Sequence, residues 1–339
     1  MNSGYEGGSR SQARTSLRVV SEGTGGKLAR VAALFGLAAA ALLSLSVAEA
    51  ESGGMESLDP AVVEEMGVES NASERSLASI EEEGRTQVNV MRTGEEENWA
   101  FGSAVIEAPN KKGHYPEGWL FVAENTSEGW NVALEGSPEF SDLAAKAPEE
   151  VVSDGEQETF ADQSSRQTDA GTQRTGLRLP WKKGKVWKFT GGPHGWSTGY
   201  DRPYAALDFA GRGGDQRVRA AGQGRVYKMC SSNRGWIRIY HPNGYSTDYY
   251  HLTKNIRPKN GRKIERGAYL GLTGNDVSCG GRSYGRHVHF ALLKNKKHVR
   301  VHGKVIGGWE FIQGQAYRGY AQRGKNKQTP GGFIKNFGP

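Results

Sequence analysis

The stretch 285–293, G-R-H-V-H-F-A-L-L, places two histidines in front of an apolar run. Residues two apart on a β-strand point to the same face, so His287 and His289 would enter the same cleft. Upstream lie His194 in P-H-G-W and Asp208 in A-L-D-F. One upstream histidine, the carboxylate and one histidine of the strand would form a three-ligand zinc site with a fourth position for water. The other histidine of the pair would lie close enough to move a proton.

Asp208 is the least expected member of this set, because Leu207 and Phe209 flank it in an apolar strand. A buried carboxylate costs free energy unless it is paired or bound to a metal. A salt bridge to one of the many arginines is one solution. A metal held together with His194 and His289 is the other, and carboxylate and imidazole ligands suit zinc.

The two halves of the chain carry opposite charge. Residues 51–170 hold 27 Asp and Glu against 7 Lys and Arg, a balance of −20, and residues 171–339 hold 7 against 32, a balance of +25. With +2 from residues 1–50, these sum to the net charge of +7. A basic half suits an anionic partner such as a cell-wall polymer, nucleic acid or a membrane surface. The acidic half could be that partner within the same chain, or the halves could be two independent domains.

Residues 1–50 are predicted to be a secretory signal peptide with an extended n-region. Lys27 and Arg30 precede an apolar stretch, and A-E-A at 48–50 fits the small-x-small cleavage rule. A membrane anchor is the alternative, but the apolar run is short for a span. We therefore expect a secreted protein.

The chain has two cysteines, Cys230 and Cys279. In an exported protein such a pair most often forms a disulfide, which here would fasten loops at the cleft. A metal-binding or catalytic cysteine is the alternative, although no C-x-x-C spacing supports it.

Composition divides the exported part into four segments. Residues 51–98 are acidic and read as partly disordered with helical patches, 99–149 as a small unit of short strands, and 150–178 as an exposed linker without periodicity. From 179 to 339, short alternating runs are separated by N-G and other turns, which predicts an all-β domain. The fold class is therefore mainly β.

Several blocks, taken in order, resemble the lysostaphin-type zinc endopeptidases of peptidase family M23, and within it the staphylolytic or beta-lytic subgroup. The resemblance covers roughly 177–320. Besides the P-H-G-W and A-L-D-F segments, the matching blocks are L-P-W-K-K-G at 179–184, H-P-N-G-Y-S-T-D-Y-Y-H-L at 241–252 and G-R-H-V-H-F-A-L-L at 285–293.

The resemblance implies a role for each site residue. An antiparallel β catalytic domain would follow a smaller β-containing pro-domain, and His194, Asp208 and His289 would bind one Zn²⁺ per chain. His251 and His287 would line the cleft and handle protons without binding metal.

Two tyrosines would stabilise the oxyanion of amide hydrolysis. These are Tyr250 and, after the H-x-H strand, Tyr317, with Tyr320 close behind it. The histidines at 114, 241, 298 and 302 have no place in this set and are expected at the surface.

The resemblance also implies a function: hydrolysis of Gly-Gly or Gly-X bonds in peptidoglycan cross-bridges by a bacteriolytic enzyme made as a latent precursor. The expected partners are glycine-rich peptides, anionic wall polymers and the chain's own propeptide, in a monomer that binds no nucleic acid. The Trp-rich β unit would cover the cleft until cleavage within roughly 165–178, with Trp99, Trp119 and Trp130 as its candidate apolar contacts. The alternative is a non-catalytic wall-binding or hydrolase-activating protein that uses the basic domain.

Overall fold

A computed structural model describes residues 54–71, 85–165, 173–254 and 258–339. The expected signal peptide lies outside these ranges, and so do residues 166–172, which are part of the expected linker. Across the described ranges, no helix is long and apolar enough to cross a membrane.

The described chain is built mainly of short strands. The helices are a 3₁₀ turn at Met55–Ser57, α1 (Leu58–Asn71), α2 (Glu139–Lys146) and α3 (Asp154–Ser165). The first strands are β1 (Thr86–Thr93), β2 (Trp99–Ile106), β3 (Ala108–Lys112), β4 (Glu117–Thr126) and β5 (Gly129–Leu134). The next are β6 (Val186–His194), β7 (Ala206–Ala210), β8 (Arg217–Arg219), β9 (Gly224–Lys228), β10 (Gly235–Tyr240), β11 (Tyr245–Leu252), β12 (Lys263–Ile264) and β13 (Tyr269–Leu272). The last are β14 (Gly280–Arg282), β15 (Val288–Lys294), β16 (Lys297–His298), β17 (Val305–Ile306), β18 (Trp309–Ile312), β19 (Tyr320–Arg323), β20 (Asn326–Gln328) and β21 (Phe333–Lys335).

One nine-stranded sheet forms the centre of the basic half. Its order is β12-β9-β10-β11-β15-β7-β6-β21, with β16 also paired to β15, and all of these pairs are antiparallel. A four-stranded sheet, β17-β18-β19-β20, is inserted between β16 and β21 of the central sheet, and β8 pairs with β13. The expected mainly β fold with an antiparallel sheet in the basic half is confirmed.

Both faces of the central sheet are covered, which explains why its strands read as apolar runs. Because side chains alternate, Phe290 and Leu292 enter the core shared with Trp309 and Phe311, whereas Ala291 belongs to a second core on the opposite face. The functional side chains lie on that opposite face.

The second core joins the described segments before residue 166, here called the N-terminal unit, to the central sheet. From the sheet come large side chains such as Trp236 and Tyr240, and from the N-terminal segments come others such as Phe101 and Phe160. The Phe160 and Tyr240 rings meet edge to face with centroids 6.0 Å apart. The N-terminal unit therefore covers the face of the sheet that carries the site.

The N-terminal unit is a four-stranded sheet, β1-β2-β4-β5, with the three helices packed around it. It begins earlier than the composition suggested, because β1 starts at Thr86 within the segment expected to be acidic and partly disordered. Acidic residues on both sides of β1 make the composition of this segment resemble that of a disordered region, so the strand was not predicted.

Helix α3 also differs from expectation, since it occupies part of the segment interpreted as an unpatterned linker. Its inward positions include Glu156, Phe160 and Gln163, spaced as one helix face, and each of them is buried. Only one of the three is apolar. The polar side chains bind distant partners: Glu156 binds Arg92, and the Gln163 amide nitrogen donates to the His241 carbonyl at 2.6 Å. A search for apolar periodicity misses such a helix.

Candidate metal centre and its cleft

Three neighbouring strands bring together the histidines and aspartate expected to bind metal. His289 on β15 is the register partner of Asp208 on β7, and His194 ends β6, the next strand of the sheet. All three side chains are buried. Their ligand atoms lie within 4.8 Å of one another.

The approach of β6 to β7 depends on a glycine. Gly191 is paired with Asp208 next to two register shifts in β6. A Cβ built on Gly191 would collide with the Asp208 carboxylate. A side chain at this position would therefore displace the carboxylate or separate the two strands.

The ligand atoms converge on one point. The distance from His194 Nε2 to His289 Nδ1 is 3.1 Å, and from His289 Nδ1 to Asp208 Oδ1 it is 3.0 Å. His194 Nε2 lies 3.6 Å from the same carboxylate oxygen. On its other side, His194 Nδ1 lies 2.7 Å from the Gly192 carbonyl, and as the donor there it leaves Nε2 with a lone pair toward the cluster.

Electrostatics favour the protonation states that metal ligands need. Burial lowers the pKa of His194, and it lowers that of His289 to about 4, although Asp208 opposes both shifts. Burial would raise the pKa of Asp208, but its histidine neighbours outweigh burial and hold it well below its usual range. Two neutral imidazoles and one ionised carboxylate form a donor set that fits Zn²⁺.

His251 stands beside this cluster in an uncommon backbone conformation. Its φ of 65° lies in the left-handed region, which costs free energy for a residue with a side chain. Its Nδ1 lies 2.9 Å from the Asp276 carbonyl, so Nδ1 is the donor and Nε2 is left without a hydrogen. Among the described residues, His251 Nε2 has no hydrogen-bond partner. Burial lowers the pKa of His251 well below its ordinary value, with His287 adding to the effect.

His287 lies at the open side of the cleft. Its Nδ1 is 2.9 Å from the Gly285 carbonyl, and its Nε2 is 3.7 Å from Asp208 Oδ1. The His251 and His287 rings have centroids 4.8 Å apart. The structure therefore brings both of the expected non-ligand histidines to the cluster.

The two expected tyrosines are placed differently. Tyr317 has a φ of 63°, and its ring stacks on His194 with centroids 4.0 Å apart. Tyr250 packs its ring on His251, but its hydroxyl donates to the Gly280 carbonyl at 2.6 Å. The hydroxyl of Tyr317 is directed to the cleft, whereas that of Tyr250 is bound in its wall.

Sequence reasoning missed a residue that lies over the cluster. The Tyr115 ring is stacked on His289, with centroids 3.8 Å apart and planes 10° apart, and its hydroxyl is 3.0 Å from that of Tyr317. Of the three tryptophans named as candidate contacts, Trp99 lies in the core that the N-terminal unit shares with the central sheet, whereas Trp119 and Trp130 pack on the far side of the small sheet with α1. No local pattern around Tyr115 distinguishes it from other tyrosines.

The expected disulfide between Cys230 and Cys279 is present, with Cα atoms 5.6 Å apart. It ties the loop after β9 to the loop that precedes β14. Gly280, the acceptor for Tyr250, follows Cys279 directly. The bridge therefore fixes one wall of the cleft.

The expectation of four surface histidines was wrong for His241. That residue is buried, and its ring contacts the Gln223 carbonyl at 2.7 Å and Thr247 Oγ1 at 2.8 Å. His298 is half-buried, stacks on Trp196 and lies 3.2 Å from Asp248. These histidines serve the framework of the sheet rather than the cluster.

The fold and site define a mainly β protein with a buried His-Asp-His cluster that could hold a metal ion. The sequence model described as peptidase family M23 matches residues 202–301. Protease LasA of Pseudomonas aeruginosa (strain UCBPP-PA14) is 31% identical over 149 residues, which are 41% of this chain and 34% of LasA. Beta-lytic metalloendopeptidase of Lysobacter enzymogenes is 30% identical over 143 residues, which are 40% of this chain and 78% of that protein.

Among solved structures, the deep-sea M23 metalloprotease pseudoalterin is 31% identical, covering 47% of this chain and 97% of its own, with a TM-score of 0.42. The chain belongs to peptidase family M23. It spans about a third of the length of LasA. His194 lies before the segment that the family model matches, and the tertiary structure brings it together with Asp208 and His289.

Proposed function

We propose that this chain is a secreted zinc endopeptidase that hydrolyses Gly-Gly or Gly-X bonds in peptidoglycan cross-bridges and is made as a latent precursor. One observation carries the proposal: a buried His-Asp-His cluster lies on adjacent strands beside a histidine with a free ring nitrogen. The relatives named as a protease and as metalloendopeptidases support the reaction type.

His194, Asp208 and His289 would hold one zinc ion. Zinc bound by three protein ligands lowers the pKa of a coordinated water to about 7 and so provides a nucleophile near neutral pH. The chain's own contribution is to keep both imidazoles neutral and the carboxylate ionised, which burial and mutual proximity achieve.

His251 would accept the proton that hydrolysis releases. Its Nδ1 is held at the Asp276 carbonyl, so Nε2 is the acceptor, and burial keeps the ring neutral at physiological pH. A rigidly placed neutral imidazole is suited to general base catalysis.

His287 and Tyr317 would assist at the substrate. His287 borders the open side of the cleft. Its Nδ1 donates to the Gly285 carbonyl, so Nε2 can accept a proton and can stabilise a developing negative charge once the ring carries both protons. Tyr317 would donate its hydroxyl to the substrate oxygen once Tyr115 no longer occupies that hydroxyl. We assign Tyr250 a structural role, because the Gly280 carbonyl takes its hydroxyl.

Charge around the cleft supports an anionic wall as the target. An open groove of about 720 Å³ adjoins the cluster, and Asp208, His287 and Tyr317 are among its lining residues. On the side of the basic half, residues lining the groove include Arg282, Arg286 and Arg318. Cations around a groove raise the local concentration of an anionic polymer.

Latency is supported by the position of the N-terminal unit, which covers the functional face of the sheet. We propose that export delivers the covered form and that removal of this unit exposes the cleft. In the precursor the site would already be complete, and the enzyme would be inactive because the N-terminal unit covers it.

The test uses the full exported chain with a cleavage site for a specific protease inserted in 166–172. Zinc per chain is measured after dialysis, and glycine-peptide hydrolysis is measured before cleavage and again after cleavage followed by removal of the N-terminal unit. We expect one zinc per chain, and chelator-sensitive hydrolysis only after the unit has been removed. Wall binding without zinc and without hydrolysis would instead support a non-catalytic wall-binding or hydrolase-activating protein.

A further inference from the structure

Residues 108–116, between β2 and β4 of the N-terminal unit, cross the cleft and bond to both of its walls. β3 pairs in parallel with β14, so that Ala108 faces Gly280 and Lys112 faces Arg282. The Ala108 amide donates to the Cys279 carbonyl at 3.1 Å. The disulfide-tied wall thus gains an extra strand from the N-terminal unit.

The opposite wall holds the second half of the segment. The Gly199 amide donates to the Gly113 carbonyl at 2.5 Å, and the Tyr115 amide donates to the Ser197 carbonyl at 3.0 Å. Just beyond, Trp196 Nε1 donates to the Pro116 carbonyl at 2.6 Å. Main-chain bonding on two sides is how a groove holds an extended peptide by strand addition.

Between these anchors, Tyr115 enters the metal centre. It is 5% exposed, its ring lies flat on His289, and its hydroxyl pairs with that of Tyr317. The Tyr115 ring is also 6.0 Å from that of His251. One side chain therefore contacts a proposed ligand and the proposed oxyanion donor, and it approaches the proposed base.

The turn that delivers Tyr115 requires a glycine. Gly113 has a φ of 74°, and a Cβ there would lie 3.2 Å from Tyr317 Oη and 3.4 Å from the Tyr200 ring. A β-branched residue would be strained at this φ and crowded by Tyr317. Gly113 thus lets the chain pass closely over the cleft.

We propose that residues 108–116 occupy the groove in which an extended peptide binds, and that Tyr115 is the residue that closes the metal centre. This inference rests on the proposed function and specifies the regulation of the same site. The ligand class that would replace the segment is an extended peptide held by the main chain of Ser197–Gly199 and Gly280–Arg282.

The experiment compares full-length variants loaded with zinc and measures two quantities that do not depend on hydrolysis. The first is the rate of zinc transfer to a colorimetric chelator. The second is hydrogen exchange of the Gly199 amide, whose acceptor in the covered state is Gly113. Tyr115→Ala and Gly113→Val should release the segment, whereas Tyr115→Phe keeps the ring over His289.

The matched control is Trp130→Ala, which removes a large aromatic side chain from the same unit on the side that packs with α1. We expect Tyr115→Ala and Gly113→Val to speed zinc transfer and Gly199 exchange by about 10-fold or more, since ~1.4 kcal/mol of easier opening corresponds to tenfold. Tyr115→Phe and Trp130→Ala should stay near the parent values.

Three results would overturn the proposal. One is equal zinc transfer in Tyr115→Ala and the parent, and another is equal acceleration by Trp130→Ala, which would indicate general loosening of the unit. The third is cleavage of the Gly113–His114 bond in zinc-loaded full-length protein, detected by mass, because the segment would then be a substrate. A different result would separate the two proposals. If the protein stayed inactive after complete removal of the N-terminal unit, while Tyr115 still slowed zinc transfer and Gly199 exchange, the proposed function would be contradicted and the role of the segment would remain supported.

Discussion

Gly191 lies so close to Asp208 across the β6–β7 pair that no side chain fits between them. The carboxylate can join His194 and His289 only because the neighbouring strand carries a bare Cα. The proposed metal centre thus depends on a residue that offers no ligand atom.

Gly191→Ala should therefore weaken zinc binding while the chain still folds. Displacing a ligand by changing its support typically costs about 10–100-fold in metal affinity. Competition with a chelator of known affinity measures this loss. Gly184→Ala is the control, because no atom lies within 4 Å of a Cβ there, although its positive φ adds strain. Unchanged affinity in Gly191→Ala would contradict the steric argument.

His289→Ala should abolish zinc binding and activity together, since His289 Nδ1 lies within 3.1 Å of both other ligand atoms. Zinc per chain after dialysis is the measurement. His302→Ala, a histidine outside the cluster, should keep the full complement. Full zinc retention in His289→Ala would remove this residue from the ligand set.

His251→Ala should keep zinc but lower turnover by roughly 10²-fold or more, the usual scale for a positioned proton-transfer group.

Tyr317→Phe should lower kcat on a similar scale, about 10²–10³-fold, by removing an oxyanion donor. Tyr250→Phe is the matched comparison, and its kcat should change little because its hydroxyl binds the Gly280 carbonyl. All three are assayed after digestion of the N-terminal unit; a larger loss in Tyr250→Phe than in Tyr317→Phe would reverse the assignment.

Cleavage of the linker alone should leave the two pieces associated and inactive. Their interface combines buried aromatic packing with the ion pair of Arg238 and Glu135, whose side chains are each 1% exposed. Salt screens exposed charges at a Debye length of about 3 Å at 1 M, but buried contacts are affected much less. Size-exclusion chromatography of the nicked protein in 1 M NaCl tests this. Separation of the pieces would show that exposed charge holds them together.

Stability should fall in acid through Asp248, which accepts two bonds from Arg238 at 2.8 and 2.9 Å. Burial raises the pKa of Asp248, but Arg238 and His298 outweigh it and lower the pKa to about 2. An aspartate in the unfolded chain has a pKa of about 3.9. The ionised pair therefore contributes its full free energy of stabilisation above about pH 4, and this contribution is lost as the pH falls toward 2. The shift corresponds to roughly 2–3 kcal/mol.

Urea unfolding across this acidic range measures the effect. Asp248→Asn should be less stable at neutral pH and should show a flatter profile between about pH 4 and 2. Asp142→Asn, at an exposed position on α2, should follow the parent profile. An unchanged slope in Asp248→Asn would place the acid sensitivity in other carboxylates.

Local chemistry made much of the site predictable. His194, Asp208, His287, His289 and His251 were singled out from residue type, order and resemblance, and the structure brings all five together. Strand alternation alone placed His287 and His289 toward one cleft. The disulfide followed from the even number of cysteines in a chain expected to be exported.

The N-terminal unit was less predictable. Strand β1 and helix α3 lie in segments that are strongly polar, and the inward positions of α3 that include Glu156 and Gln163 find their partners only in the folded chain. A pattern of apolar residues cannot reveal a face that is buried through ion pairs and amide bonds.

By itself the sequence determined a mainly β chain with a His-Asp-His donor set, because strand periodicity and ligand chemistry are properties of a few neighbouring residues. Tertiary structure alone decided that Tyr317 faces the cleft, that the Tyr250 hydroxyl belongs to its wall and that Tyr115 covers the centre. The physical reason is that these outcomes depend on contacts between residues far apart in the chain, such as Tyr115 with His289, and on backbone conformations set by packing.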